Sequence, residues 1–200
     1  MALKFQYNKV SMQALQKDLN IRLAALPTLK SKEAYLRITI KKEKHRLDDM
    51  VSALEARRAA LGESVRLFGE FPSETLSVRD VEFGSNNIAG ITIPFLGGID
   101  FSESTSLAVS DPTWMPWGWD TLKGLVRSQT EIEVVQRRIA LLEHARKKTT
   151  QKVNLYEKVQ IPEYLMALLK IKRYLEDVEN LGKAAQKITK ERQALLAESS

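Results

Sequence analysis

Starting at Met12 and stepping alternately by three and four, seventeen positions lead to Phe68. Twelve of them are large and apolar: Met12, Leu15, Leu19, Leu26, Leu29, Leu36, Ile40, Leu47, Met50, Leu54, Leu61 and Phe68. A period of 3.5 held over this length keeps one stripe of a helix turned towards a partner helix, and few folds other than a coiled coil use it. The polar exceptions are Arg22, Glu33, Glu43, Arg57 and Ser64. Pro27 lies within the run, and the register passes through it unchanged. A kinked helix is the expectation, with a loop around residues 24–28 as the alternative.

A second stripe occupies the other end of the chain, from about Thr121 to about Leu196. Its first stretch is Ile132, Val135, Ile139, Leu142, Arg146, Thr149, Val153 and Tyr156. It resumes with Tyr164, Leu168, Ile171, Leu175, Val178, Gly182 and Ala185. Joining the two through Gln160 gives three consecutive steps of four, a stutter that unwinds a supercoil locally. Pro162 sits there, so a bend or loosened packing is expected. Gly182 and Ala185 imply that two backbones approach closely and that the pair thins towards its tip, with a helix end at Gly182 as the alternative. The chain must return on itself to pair these stripes. The expected fold is therefore mainly α: a long antiparallel helical hairpin (a left-handed coiled coil) built from the N- and C-terminal arms, with a small central β-hairpin insert.

Charge divides the chain in the same way. Residues 1–68 carry a net +7, residues 69–120 a net −7 and residues 121–200 a net +6. These ranges are the expected N-terminal arm, acidic insert and C-terminal arm. Within the insert, Ile91, Ile93 and Phe95 alternate with Thr92 and Pro94, which points to a strand with Pro94 on an edge. Gly97-Gly98 offers the turn before Ile99 and Phe101. Trp114, Trp117 and Trp119 follow among Pro and Gly. They form either a satellite core, the favoured reading, or an exposed docking patch.

Signals for chemistry are sparse. There is no cysteine, which excludes disulfides and thiolate metal sites. Neither common glycine-rich phosphate loop occurs. His45 and His144 lie in charged helical stretches, and no ligand spacing surrounds them. Asp48, Asp49, Glu131 and Glu133 read as solvated charges. No catalytic residue, cofactor or metal site is therefore expected. The basic runs Lys41–Arg46 and Ala145–Lys152 have interleaved acids and no nucleic-acid module, so a solvated helix flank is preferred to nucleic-acid binding. No run is long and apolar enough to span a bilayer, and the first residues have no apolar core of signal-peptide length.

Three blocks carry a resemblance to a family. Asn8 to Leu36 resembles, without gaps, the opening helix of the D subunit of the V-type (also called A-type) ATPases, at Leu15, Leu19, Leu29, Lys30, Lys32 and Leu36. The stretch "NNIAGITIPF" (Asn86 to Phe95) is similar to that family's central segment. Lys152 to Glu179 is similar to a later one, at Val153, Asn154, Ile161, Pro162, Ile171, Lys172, Leu175 and Glu176. Pro27 and the stretch "VENLGKAA" depart from the family pattern, and "WMPWGW" has no counterpart in it.

The resemblance implies a central rotor shaft without an active site or cofactor. Its hairpin would enter a ring of alternating catalytic and regulatory subunits (A and B), and its rotation would be coupled to ATP turnover there. Its lower part would bind a small companion, the F subunit, and a connector to the membrane rotor ring. Such a protein is cytoplasmic and peripheral to the membrane. Lys4, Lys9, Lys17, Lys183, Lys187, Lys190 and Arg192 are the candidates for the bore-facing end. Ile91, Ile93, Trp114 and Trp117 are candidates for partner contact. An ordinary exposed flank is the alternative for each lysine and arginine, and a scaffolding coiled coil that binds membrane or partner helices is the alternative for the whole.

Overall fold

The computed structural model describes residues 4–70, 76–103 and 113–198. The elements are α1 (Lys9–Leu61), a 3-10 segment (Gly62–Glu70), β1 (Leu76–Ile88), β2 (Ile91–Glu103), α2 (Met115–Leu155), a π-helical turn (Tyr156–Gln160) and α3 (Ile161–Glu198). The chain divides into two compact units, Met1–Ser31 with Thr149–Ser200, and Lys32–Lys148. α1 passes from one to the other. In each unit it pairs antiparallel with the returning helix, so the architecture is a helical hairpin with a β-hairpin between its arms.

In the first unit α1 starts where Asn8 caps it. The Asn8 side-chain oxygen accepts from the backbone N–H of Ser11 at 2.7 Å, which satisfies one of the donors a helix start leaves unpaired. The helix continues through Pro27, so the loop alternative around residues 24–28 is not realised. The stripe is buried as expected: Leu15, Leu19, Tyr164, Ala167 and Ile171 form the core, with Met12, Leu168 and Leu175 packed against it. Polar stripe residues reach across. Arg22 Nε donates to Gln160 Oε1 at 2.9 Å, and its guanidinium lies 4.5 Å from the Tyr164 ring centre. The Tyr164 hydroxyl donates to Asp18 at 3.3 Å.

The stutter appears as the π-helical turn Tyr156–Gln160, in which the N–H of Ile161 donates to the Tyr156 carbonyl. Three steps of four contain one residue more than the usual four-three-four, and a π turn absorbs one extra residue. The stripe therefore stays on the seam: Tyr164 and Ile171 beyond the turn are both buried. Pro162 follows at the second residue of α3, and a proline inside regular helix would clash with the carbonyl four residues before it.

The thinning tip is overturned. Every residue from Glu176 to Ala194 is exposed, and a Cβ placed on Gly182 would meet nothing within 4 Å. α1 begins at Lys9, whose charge is felt at Glu179. Beyond that level α3 has no second helix beside it among the described residues. Small residues at 182 and 185 mark the end of pairing, not a closer approach.

In the second unit Leu36, Ile40, Leu142 and Ile93 form a buried cluster, with Ile88, Ala89 and Ile91 packed against it. The β-hairpin thus docks on both helices through its tip. Its two strands pair antiparallel from Leu76 opposite Glu103 to Ile88 opposite Ile91. The turn is Ala89-Gly90, not Gly97-Gly98 as the sequence suggested. Ala89 and Gly90 have φ of 52° and 77°, the pair of positive values that a two-residue hairpin turn requires. Asn87 Oδ1 accepts from the Gly90 N–H at 2.8 Å. Gly97 instead lies at a register shift inside β2, where Glu82 faces Gly98 and Phe83 faces Leu96. Pro94 faces Ser85 in a sheet of two strands among the described residues, so its missing N–H falls on an edge, as expected.

At the far end of this unit Trp119 and Met115 are buried. Phe68 of the 3-10 segment meets Trp117 at 5.9 Å and Trp114 at 6.4 Å between ring centres. Trp117 nonetheless keeps 46% of its surface exposed. The tryptophans are therefore a satellite core at Trp119 and an accessible aromatic face at Trp117.

Two outcomes follow from these contacts. A Cβ on Gly90 would come no nearer than 3.8 Å to its first neighbour, so Gly90→Ala tests the backbone alone. It should lower stability by about 1–2 kcal/mol, read from denaturant midpoints. Burial, opposed by Arg22, pushes the Tyr164 phenol above its ordinary value of 10.0. The fold favours the neutral phenol, so this contribution is complete below pH 10 and is lost as pH rises through the higher folded value. The alkaline fall in thermal midpoint should be shallower in Tyr164→Phe.

Candidate partner-binding surfaces

The described residues hold no group of three or more His, Cys, Asp or Glu placed to bind a metal ion, and His45 and His144 are both exposed. No helix among them is long and apolar enough to cross a membrane. The features with chemical consequence are uncovered surfaces and polar groups on the seam.

The basic candidates fall on the first unit. Lys4, Lys9, Lys17, Lys183, Lys187, Lys190 and Arg192 are all exposed. Lys183 lies 2.8 Å from Glu179 and Lys187 lies 3.9 Å from Glu191, each one helical turn away. Lys183 holds the Glu179 carboxyl below its usual range by hydrogen bond and charge. These are solvent-exposed pairs that support the helix weakly and leave it basic overall. Between them Leu181 is 71% exposed, and Val178 and Ile188 are about half exposed.

A second surface escaped the reading of the sequence. Leu155, Val159, Pro162, Met166 and Leu169 follow one another at spacings of four and three, and all are exposed. They form a second stripe on the outward face of the returning helix. Several of them, with Phe5, Lys158 and Lys170, line a shallow groove of about 390 Å³. The same spacing rule that reveals the seam would have found it, had it been applied to the positions between.

In the second unit Ile93 is only 1% exposed and Ile91 packs beside it, so both hold the hairpin to its own helices. Accessible apolar residues of this unit include Phe83, Val78 and Leu141. Phe83, Pro94 and Leu141 border a groove of about 470 Å³ between the hairpin and α2. The Phe95 ring lies across the strand over Gly84, filling the place a Cβ would take. Trp114 and Trp117 lie at the start of α2, apart from this groove.

The seam of this unit also holds a buried ion pair. Arg138 donates to Glu43 at 3.0 Å, with side chains 13% and 10% exposed. The other Glu43 oxygen and the Arg138 Nε have no hydrogen-bond partner among the described residues. Lys44 and Glu143 form a shorter contact, 2.6 Å, but on the surface.

Two long helices paired antiparallel, with a β-hairpin clamped against them and apolar faces left open, define a helical-hairpin component of a larger assembly. The chain belongs to the ATP synthase D subunit family, whose model matches residues 11–191. It is similar to the D subunit of the V-type ATP synthase of Borreliella burgdorferi, at 29% identity over 189 residues and 94% of each chain. It is similar at 29% identity to the proteins of the same name from Chlamydia trachomatis serovar L2, over 88% of this chain and 90% of that one, and from Chlamydia caviae, over 76% of each.

Replacing Glu43 alone should be costly. Glu43→Leu leaves the Arg138 charge enclosed without its partner, and about 3–5 kcal/mol of stability should be lost. Chemical denaturation of the single variant checks this.

Proposed function

We propose that this chain is the central stalk of a rotary V-type ATPase, a shaft that couples ATP turnover in a ring of catalytic and regulatory subunits to ion movement across a membrane. The chain itself carries out no chemistry in this role. One observation carries the reading: α3 continues past its partner helix as a lone basic helix with Val178, Leu181 and Ile188 uncovered. A lone helix of this length gains little stability in water by itself, so its apolar side chains call for a surrounding surface from other subunits. Lys9, Lys17, Lys183, Lys187, Lys190 and Arg192 lie on this unit and give mobile, screened contacts to such a surface. The outward stripe from Leu155 to Leu169 adds an apolar contact below them.

The second unit supplies the other attachments. The groove beside Phe83 and the aromatic face at Trp117 are the surfaces on which the small F subunit and the connector to the membrane ring dock. Trp114, Ile91 and Ile93 support these surfaces from behind. The assembled protein works at the cytoplasmic side, peripheral to the membrane. The three-part division at residues 1–68, 69–120 and 121–200 corresponds to shaft arm, lateral insert and shaft arm.

The test is a truncation. Removing Lys183–Ser200 takes away no buried contact among the described residues, so the thermal midpoint of the isolated chain should stay within about a degree, as for exposed sites generally. In the reconstituted complex the same truncation should weaken coupling of ATP turnover to ion flow. Unimpaired coupling would remove the lone helix from the mechanism.

A further inference from the structure

We propose that the Glu43–Arg138 pair sets the axial register of α1 against α2. The seam itself does not: Ile40, Leu47, Leu54 and Leu61 recur every seven residues on one helix. Ile132 and Ile139, and Val135 and Leu142, do so on the other. A slide of one heptad, about 10 Å along the axis, therefore meets apolar residues with apolar residues again. The polar pair does not repeat. Sliding one way brings Glu43 level with Glu131 and sets Arg138 against Leu36, which is fully buried in the native arrangement. Sliding the other way leaves Glu43 beside Ala145 and Arg138 beside Met50. Either shift strands an enclosed charge, which is far more costly than misplacing an apolar side chain.

The state of the pair points the same way. One Glu43 oxygen and the Arg138 Nε are enclosed without a hydrogen-bond partner among the described residues. A half-satisfied ion pair contributes little to stability over a well-packed apolar pair. A polar position in a largely apolar seam is instead a known means of selecting one alignment among several, and Arg146, whose Nε is likewise enclosed without a partner among the described residues, is a second such position on α2. Two other cross-helix polar contacts in this unit, Lys44 with Glu143 and Arg57 with Ser128, are exposed and discriminate weakly. The competing device is the β-hairpin, since Ile93 packs into one cluster with Leu36, Ile40 and Leu142. The inference concerns alignment within the chain and stands apart from the shaft reading.

The chain has no cysteine of its own, so spin labels go only where they are placed. Labels at Lys42→Cys and Arg127→Cys, both exposed, are offset along the axis and report a slide as a change in separation. Pulsed dipolar spectroscopy on the full chain should give one separation. Glu43→Met with Arg138→Met should fold and add further separations, shifted by several ångströms for a slide of about 10 Å. The reversed pair, Glu43→Arg with Arg138→Glu, should return to one. A single unshifted separation in the methionine variant overturns the proposal and assigns register to the hairpin. Several separations in the reversed variant overturn it as well.

Discussion

Everything in this molecule depends on one constraint: a stripe of period 3.5 has to be taken out of water along its length, and the same chain supplies the cover. Leu15 and Leu19 are closed by Tyr164, Ala167 and Ile171, and Leu36 and Ile40 by Leu142 together with Ile93. Burial of this kind is non-directional and recurs with the heptad, so it draws the helices together without saying how they align. Directional groups do that. Arg22 spans to Gln160 in one unit and Glu43 to Arg138 in the other.

The helical hairpin was legible because periodicity is additive: many weak apolar positions agree, and neither Pro27 nor the stutter at Gln160 outweighs them. The stutter was readable as one residue too many, but whether the helix bends or widens to hold it depends on carbonyl geometry around Pro162, which residue types do not encode. The hairpin turn was misplaced for a definite reason. Ala89 occupies a left-handed position that an alanine seldom takes, and β1, with Gly84, Ser85, Asn86 and Asn87, has little strand propensity of its own. Gly97-Gly98 looked like the stronger turn, yet the long pairing with β1 carries the chain straight through it.

Reading the surfaces was harder, since exposure depends on which residues face one another. Gly182 and Ala185 fit a tightening seam until the start of α1 shows that no partner helix reaches them. Ile93 alternates like a surface-facing strand residue and proves to be the hairpin's anchor. The aromatic contacts at the start of α2 join residues far apart in sequence: Phe68 comes from before the β-hairpin, and Trp114 and Trp117 from after it. The family assignment and the geometry agree on a component of an assembly, and the shaft role rests on what the lone helix leaves uncovered.

That uncovered stretch leaves the backbone at the end of α3 open to attack in the free polypeptide. An unpaired helical end frays readily and offers its peptide bonds to proteases, whereas the same end enclosed by neighbouring proteins does not.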